Sequence, residues 1–350
     1  MGPDPGTLSR AFPMNFLLFA TENYALEIMR PLQQTIEEAG HEAAWFFSKP
    51  VAEEWRRDLP VLSRVHEVQE FNPAAVFVPG NWVPPFFPGL KVQIFHGFGI
   101  EKKGHFRIRG FFDLYCTHGP LTTEPFRALA RKHGHFAVRE TGWPKTDPLF
   151  QAPSETSKGP LPRLLYAPTF SPALTSARAL LDPLTALTES GDCEVVVKFH
   201  PKMDATLADA YRQRASERLV VSTRPDILPL MRSTDLLLTD TSSVVYEYLL
   251  LDKPVMTFRN AAPGPHVVDF NRPEDLRERF MHTWEHREQV VARARPVADR
   301  MHPYRDGQSS RRVLEATLDV LRNPPDLRPK PLNLWRRWQV RRRMGYYRWH

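Results

Sequence analysis

The feature that most constrains this chain is an alternation of short apolar runs with helix-spaced segments, played out twice on either side of one polar, proline-rich stretch. NFLLFA (15–20) is a continuous apolar run. Ala25, Ile28, Met29, Leu32 and Ile36 then recur at helical spacing, Gly40 stops the helix, and EAAWFF (42–47) is apolar again. Further apolar runs follow at 74–78, 91–95 and 112–117. Strands apolar along their whole length are covered on both faces, so the pattern predicts a mostly parallel sheet under helices. DPLFQAPSETSKGPLPR (147–163) breaks it and reads as a linker. Past the linker the alternation restarts, with strands expected at 164–168, 194–199, 218–222, 235–240 and 254–258. Helices are expected between them at 173–189, 203–217, 226–232 and 243–251, and helices rich in Arg and Glu over 273–323. The organisation expected is therefore an α/β domain over 1–146, the linker, a second α/β domain over 164–323, and a tail over 324–350. A length of 350 residues suits two domains. Two doubly wound sheets in tandem bring their carboxyl ends to one cleft, where loops and helix N-termini hold phosphate. A nucleotide-activated substrate is the expectation.

Charge and cysteine narrow the classes. Cys116 and Cys193 lie far apart in apolar surroundings, which offers no disulfide framework or CxxC site and fits a reducing cytosol. The first apolar stretch reads as a buried strand rather than a secretory signal, and Met14 offers an alternative chain start. No run of about 18 apolar residues occurs, so no transmembrane helix is expected. The net charge is +7, from 47 Lys and Arg against 40 Asp and Glu. Residues 331–350 carry six Arg and no acid, so the other 330 residues are almost neutral, with 41 basic and 40 acidic groups. The basicity is one terminal patch, interleaved with Trp335, Trp338, Tyr346, Tyr347 and Trp349. Arg mixed with amphipathic aromatics suits an anionic membrane surface, and basicity confined to one patch is not a diffuse nucleic-acid-binding character. A disordered tail, one docked on its own domain and a nucleic-acid arm fit the same residues.

Three strand ends carry chemistry. In LLLTDTSSVVYEYLLLDKPV (236–255) an apolar strand ends in Asp240, Thr241, Ser242 and Ser243 and a helix follows at once, with Glu247 one turn in. Helix capping and pyrophosphate binding both suit such a turn. In VVVKFHPKMD (195–204), Lys198 and His200 emerge at the end of a buried strand, where a cation serves a phosphate. In QIFHGFGIEKKGHF (93–106), His96 and Gly97 lead a loop with Lys102 and Lys103, which presents a base beside a positive floor and makes the loop a candidate for acceptor or phosphate contacts. Gly99 and Gly104 have P-loop separation, but His105 and Phe106 follow instead of Lys and Ser/Thr, and Lys102 stands where a Rossmann fingerprint needs Gly. Nucleotide hydrolysis and NAD binding are therefore excluded. His282, Glu285 and His286 match an inverted zinc-protease pattern but lie in a charged helix with no third ligand evident, so no metal site and no cofactor are expected.

In order along the chain, HGFGIEKKG (96–104), TGWPKTDPLF (141–150), YAPTF (166–170), KFHP (198–201), TDTSSVVYEYLLLDKPV (239–255) and DGQSSRR (306–312) resemble the CDP-glycerol glycerophosphotransferases of teichoic-acid type. The resemblance implies a GT-B-like fold, two Rossmann-type domains about a cleft, and transfer of glycerol phosphate or a related polyol phosphate. An acceptor hydroxyl attacks the β-phosphate of a CDP-activated donor and CMP leaves. Carried over position by position, His96 is the base and His200 contacts the donor pyrophosphate and assists the leaving CMP. Thr241, Ser242 and Ser243 bind phosphates, with Lys198 nearby, and Asp240 and Glu247 orient the donor. The implied acceptor is a cell-surface glycan or lipid-linked molecule, and the implied location is cytoplasmic, peripheral on the inner face of the membrane. The family's first motif commonly continues His-Gly-Thr-Pro-Leu-Lys, whereas Phe98, Gly99, Ile100 and Glu101 stand here, which leaves glycerol, ribitol and other head groups open. A GT-B glycosyltransferase or epimerase using a UDP-sugar, and a non-catalytic binding protein with a degenerate cleft, are the alternatives.

Overall fold

The computed structural model describes residues 13–22, 24–51, 53–100, 104–151 and 159–347. Within them lie two six-stranded sheets, every neighbouring pair parallel. The first comprises β1 (Asn15–Ala20), β2 (Glu42–Phe47), β3 (Ala75–Val78), β4 (Leu90–Gln93), β5 (Leu114–Thr117) and β6 (Ala137–Glu140), in the order β2-β1-β3-β4-β5-β6. The second comprises β7 (Arg163–Tyr166), β8 (Glu194–Val197), β9 (Leu219–Val221), β10 (Leu236–Thr239), β11 (Val255–Phe258) and β12 (Val268–Phe270), in the order β12-β11-β10-β7-β8-β9. Counted from β7, that is the 3-2-1-4-5-6 order of dinucleotide-binding sheets. The GT-B-like expectation holds.

The apolar runs form strands because both faces are covered. Phe16, Leu17, Leu18 and Phe19 of β1 are all fully buried, their side chains alternating between two hydrophobic clusters. Truncating one, as in Leu18→Ala, costs about 2–5 kcal/mol. β6 and β12 lie at the sheet edges, and neither shows in the apolar pattern, because AVRE and VDF carry polar residues.

Late in the chain the polypeptide returns to the first domain. Helix Ser309–Arg322 packs on helix Ala25–Glu38, and Arg139 of β6 pairs with Asp319 at 3.3 Å. The N–H groups of Ser309 and Ser310, which open this helix, donate to the buried Asp147 carboxylate at 2.8 and 2.7 Å. Gly142 lies under the return with a φ of +79°, and a Cβ there would run into Ser309 and His302. The TGWPKTDPLF and DGQSSRR blocks therefore meet each other.

The tail is docked as well. Helix Leu334–Met344 buries Val340 and lays Arg341 over the Phe86 ring at 5.0 Å, while Tyr346 packs on Phe86 and accepts a hydrogen bond from Gln69 at 3.0 Å. Its other face leaves Leu334, Trp335 and Trp338 exposed, the two indoles stacked at 4.9 Å. Among the described residues no helix is long and apolar enough to cross a membrane.

Candidate active site

The strand ends of both sheets supply the site. From the first sheet, β4 runs through Ile94 and Phe95 to His96. Phe95 has a left-handed φ of +59°, rare for an aromatic residue and a mark of over-determined local structure. Its carbonyl accepts the Trp143 indole N–H at 3.3 Å. The exposed His96 imidazole places Nδ1 3.2 Å from the Pro79 carbonyl oxygen. A carbonyl only accepts, so Nδ1 carries a proton, and in the neutral ring Nε2 carries the lone pair.

From the second sheet, β8 runs through Lys198 and Phe199 to His200. Here Nδ1 accepts the Lys202 backbone N–H at 3.1 Å, so Nε2 carries the proton of the neutral ring. The ring stacks on Phe170 at 4.3 Å. Burial and then the nearby Lys202 and Lys198 charges hold its pKa below the ordinary histidine value, which keeps it neutral. Lys198 is itself lowered by burial, against the pull of Glu27 and Asp226. The two histidines therefore sit in opposite tautomers.

At the end of β10, Asp240 is fully buried and faces inward. Its carboxylate accepts the Thr169 N–H at 2.9 Å and the Ser176 N–H and hydroxyl, both at 2.9 Å, which binds the loop after β7 to the loop after β10 at the point where the strand order reverses. Burial raises its pKa against these hydrogen bonds. Thr241 accepts the Ala261 N–H at 3.0 Å, and Ser242 accepts the Val244 N–H at 3.4 Å. Ser243 stands at the N-cap of helix Val244–Leu249 without making a capping bond. A Cβ on Gly97 would lie 3.9 Å from the Ser243 hydroxyl, so the two domains' strand-end loops face each other at van der Waals range.

Glu247 is 7% exposed and meets Lys145 of the first domain at 2.8 Å, with Glu27 3.9 Å from the same ammonium. Burial works against the Lys145 charge, but the two carboxylates more than offset it and hold the pKa above the ordinary value. Burial raises the Glu27 carboxyl despite the cation beside it. Next to this pair a cavity of about 490 Å³ opens between the domains, lined by Leu26, Glu27 and Arg30 on one side and Pro225, Asp226 and Leu228 on the other. Lys145, Glu27 and Phe170 were not singled out in the sequence. Lys145 and Phe170 do sit inside the TGWPKTDPLF and YAPTF blocks.

Behind the site, His302 Nε2 accepts the Trp143 N–H at 2.9 Å, and burial pushes this histidine down to about 4. The Lys102 and Lys103 candidates fall outside the described residues. The His282 and His286 rings pack on each other at 4.3 Å, tilted by 31°, and among the described residues no group of three or more His, Cys, Asp or Glu is placed to hold a metal ion.

Residues 113–260 match the family CDP-Glycerol:Poly(glycerophosphate) glycerophosphotransferase. The chain is 26% identical over 291 residues to the teichoic acid ribitol-phosphate polymerase TarK of Staphylococcus aureus, covering 68% of this chain and 54% of TarK. It is also 26% identical over 271 residues to TarL of the same organism, covering 64% of this chain and 46% of TarL. The chain thus spans about half the length of the curated relatives it matches. Its fold is shared with the wall teichoic acid polymerase TagF, at a TM-score of 0.63 and 16% identity over 89% of each chain. One structure of a TagF variant followed a soak with CDPG. The fold is shared too with a UDP-N-acetylglucosamine 2-epimerase described as putative, from Listeria monocytogenes, at a TM-score of 0.65 and 14% identity over 91% of this chain and 99% of that one. Through residues 113–260, the chain is thus similar to the CDP-glycerol glycerophosphotransferases.

Proposed function

We propose that this protein transfers glycerol phosphate, or a related polyol phosphate, from a CDP-activated donor to a hydroxyl of a cell-surface glycan or lipid-linked acceptor, and releases CMP. The observation that carries the reading is the pair of oppositely protonated histidines at the facing strand ends. His96 Nε2 takes the proton of the attacking hydroxyl as the new O–P bond forms at the β-phosphorus. The bond to the CMP phosphate breaks, and the charge that collects on the departing oxygens is met by His200 Nε2–H and the Lys198 ammonium. Ser243, Thr241 and Ser242 contact the donor phosphates, and Gly97 leaves room for them at the crossing. Asp240 orients the donor indirectly, by fastening the loops around it. Glu247 orients the donor from its place beside Lys145.

Incubation with a panel of CDP-polyols and UDP-sugars tests the reading. CMP release that depends on an acceptor hydroxyl supports it, whereas UDP release from a UDP-sugar would replace it with a glycosyl-transfer or epimerase activity on the same fold. Turnover of neither class would leave a binding protein.

The same reading places the enzyme on an anionic lipid surface through its tail. Trp335 is 66% exposed, and Trp338, Arg342 and Arg343 are exposed on the docked helix, a face of rings and cations suited to head-group depth. The double substitution Trp335→Ser/Trp338→Ser is expected to abolish sedimentation with vesicles containing phosphatidylglycerol. Unchanged sedimentation would end the membrane assignment.

A further inference from the structure

We infer that the C-terminal strap, residues 330–346, sets the position of the His96 imidazole, with Asn333 and Arg109 as positioning residues that touch no substrate. The inference rests on His96 being the base, and it adds a part of the chain more than 200 residues away to that site.

The strap lies across Arg107–Asp113, the far end of the loop that His96 begins. Asn333 Nδ2 donates to the Arg109 carbonyl at 2.9 Å and to the Gly110 carbonyl at 3.4 Å, and Arg336 donates to the same Arg109 carbonyl at 3.2 Å. Lys330 donates to the Phe111 carbonyl at 3.0 Å and pairs with Asp113 at 2.6 Å. Both backbones are shaped for the meeting. Asn333 has a φ of +47°, a region Asn enters more readily than most side chains, and Gly110 has a φ of +72°, where a Cβ would run into Asn333 and Pro331.

From Arg109 the contacts continue inward. Its guanidinium donates to Asn81 Oδ1 at 3.4 Å, and the same oxygen accepts from Gln93 Nε2 at 3.3 Å, which also donates to the Gly80 carbonyl at 3.1 Å. Asn81 and Gly80 follow Pro79, whose carbonyl holds His96 Nδ1. On the same loop His105 stacks on Phe95 at 5.5 Å and 17°, one residue before His96. The carbonyl that selects the reactive tautomer is thus carried on a turn braced by Arg109, and Arg109 is braced by the strap. Release of Arg109 would let that turn shift, and small misplacements of a base are costly. A strap that only covered apolar surface would influence stability and leave the imidazole unaffected.

Nitrogen-15 NMR of the histidine-labelled full chain tests this, with the His96 signals identified by their loss in His96→Ala. Asn333→Gly keeps the left-handed backbone and removes the donor. It is expected to shift the His96 ring nitrogens, leave those of His200 in place, and lower kcat about tenfold with the donor KM within about twofold. Asn81→Ala is expected to do the same, and the double variant to add little. Should Asn333→Gly fail to fold, Arg336→Ala removes the other side-chain donor to the Arg109 carbonyl and gives the same readings. A lower Tm with unchanged His96 nitrogens and unchanged kcat would overturn the inference. Full turnover by His96→Ala would overturn the base assignment instead, and the strap's hold on His96 would still be read from the nitrogen shifts.

Discussion

His96 and His200 occupy matching places, each a few residues past the end of a buried strand, yet they are held by different kinds of structure. His200 is fixed locally, with Nδ1 accepting the N–H two residues on and its ring resting on Phe170. His96 is fixed from a distance, by Pro79 on its imidazole and by Trp143 on the carbonyl of the residue before it. The difference sets their chemistry. A ring whose Nδ1 accepts from backbone offers a proton at Nε2, and one whose Nδ1 donates to backbone offers a lone pair there. The first suits a leaving group and the second suits a base.

The largest effects should fall on the histidines themselves. His96→Ala and His200→Ala are each expected to lower kcat by about 10²–10⁴ with the fold intact, measured by CMP release and circular dichroism. Loss from only one of them would break the paired assignment.

Next in size is the contact that joins the two domains. Lys145→Met leaves Glu247, 7% exposed, without its cation, and is expected to destabilise the protein by about 3 kcal/mol in urea unfolding. Adding Glu247→Gln should restore much of that loss. If the single variant were as stable as the parent, the ion pair would have no part in holding the domains together.

A third prediction concerns His302, which supports the first domain's side of the site. Its pKa falls from 6.5 to about 4 in the folded chain, so the unfolded chain binds more protons between those values. Stability is therefore full above pH 6.5 and declines as pH falls toward 4, by about 3 kcal/mol from this group. His302→Gln should flatten that slope in a series of Tm measurements across pH.

The smallest effect sharpens the picture of His200. Lys202→Ala removes one of the charges that hold its pKa down, so the His200 ring should titrate at higher pH when followed by nitrogen-15 NMR. An unchanged titration would remove Lys202 from the groups acting on this ring.

The same contrast explains what could be read from the chain. The strands of both sheets were legible because a strand covered on both faces needs unbroken apolar sequence, and the edge strands β6 and β12 escaped because theirs is mixed. His200, Lys198 and the Asp240–Ser243 turn were legible because a strand end announces itself locally. Lys145 with Glu247, His302 with Trp143, and Asn333 with Arg109 were not, since each joins residues more than 100 apart and leaves no periodic trace. Asp240 shows a limit of a different kind. Its place at a strand end could be read, but its position where the strand order reverses and its inward turn onto Thr169 and Ser176 required the folded sheet and loops.

The account is tested most directly by the nucleotide product of a single turnover with CDP-glycerol and an alcohol acceptor, followed by phosphorus NMR in the parent protein and in His96→Ala. CMP should appear in step with the new phosphodiester in the parent and be lost in the variant. Release of CDP, or CMP formation undiminished without His96, would contradict it.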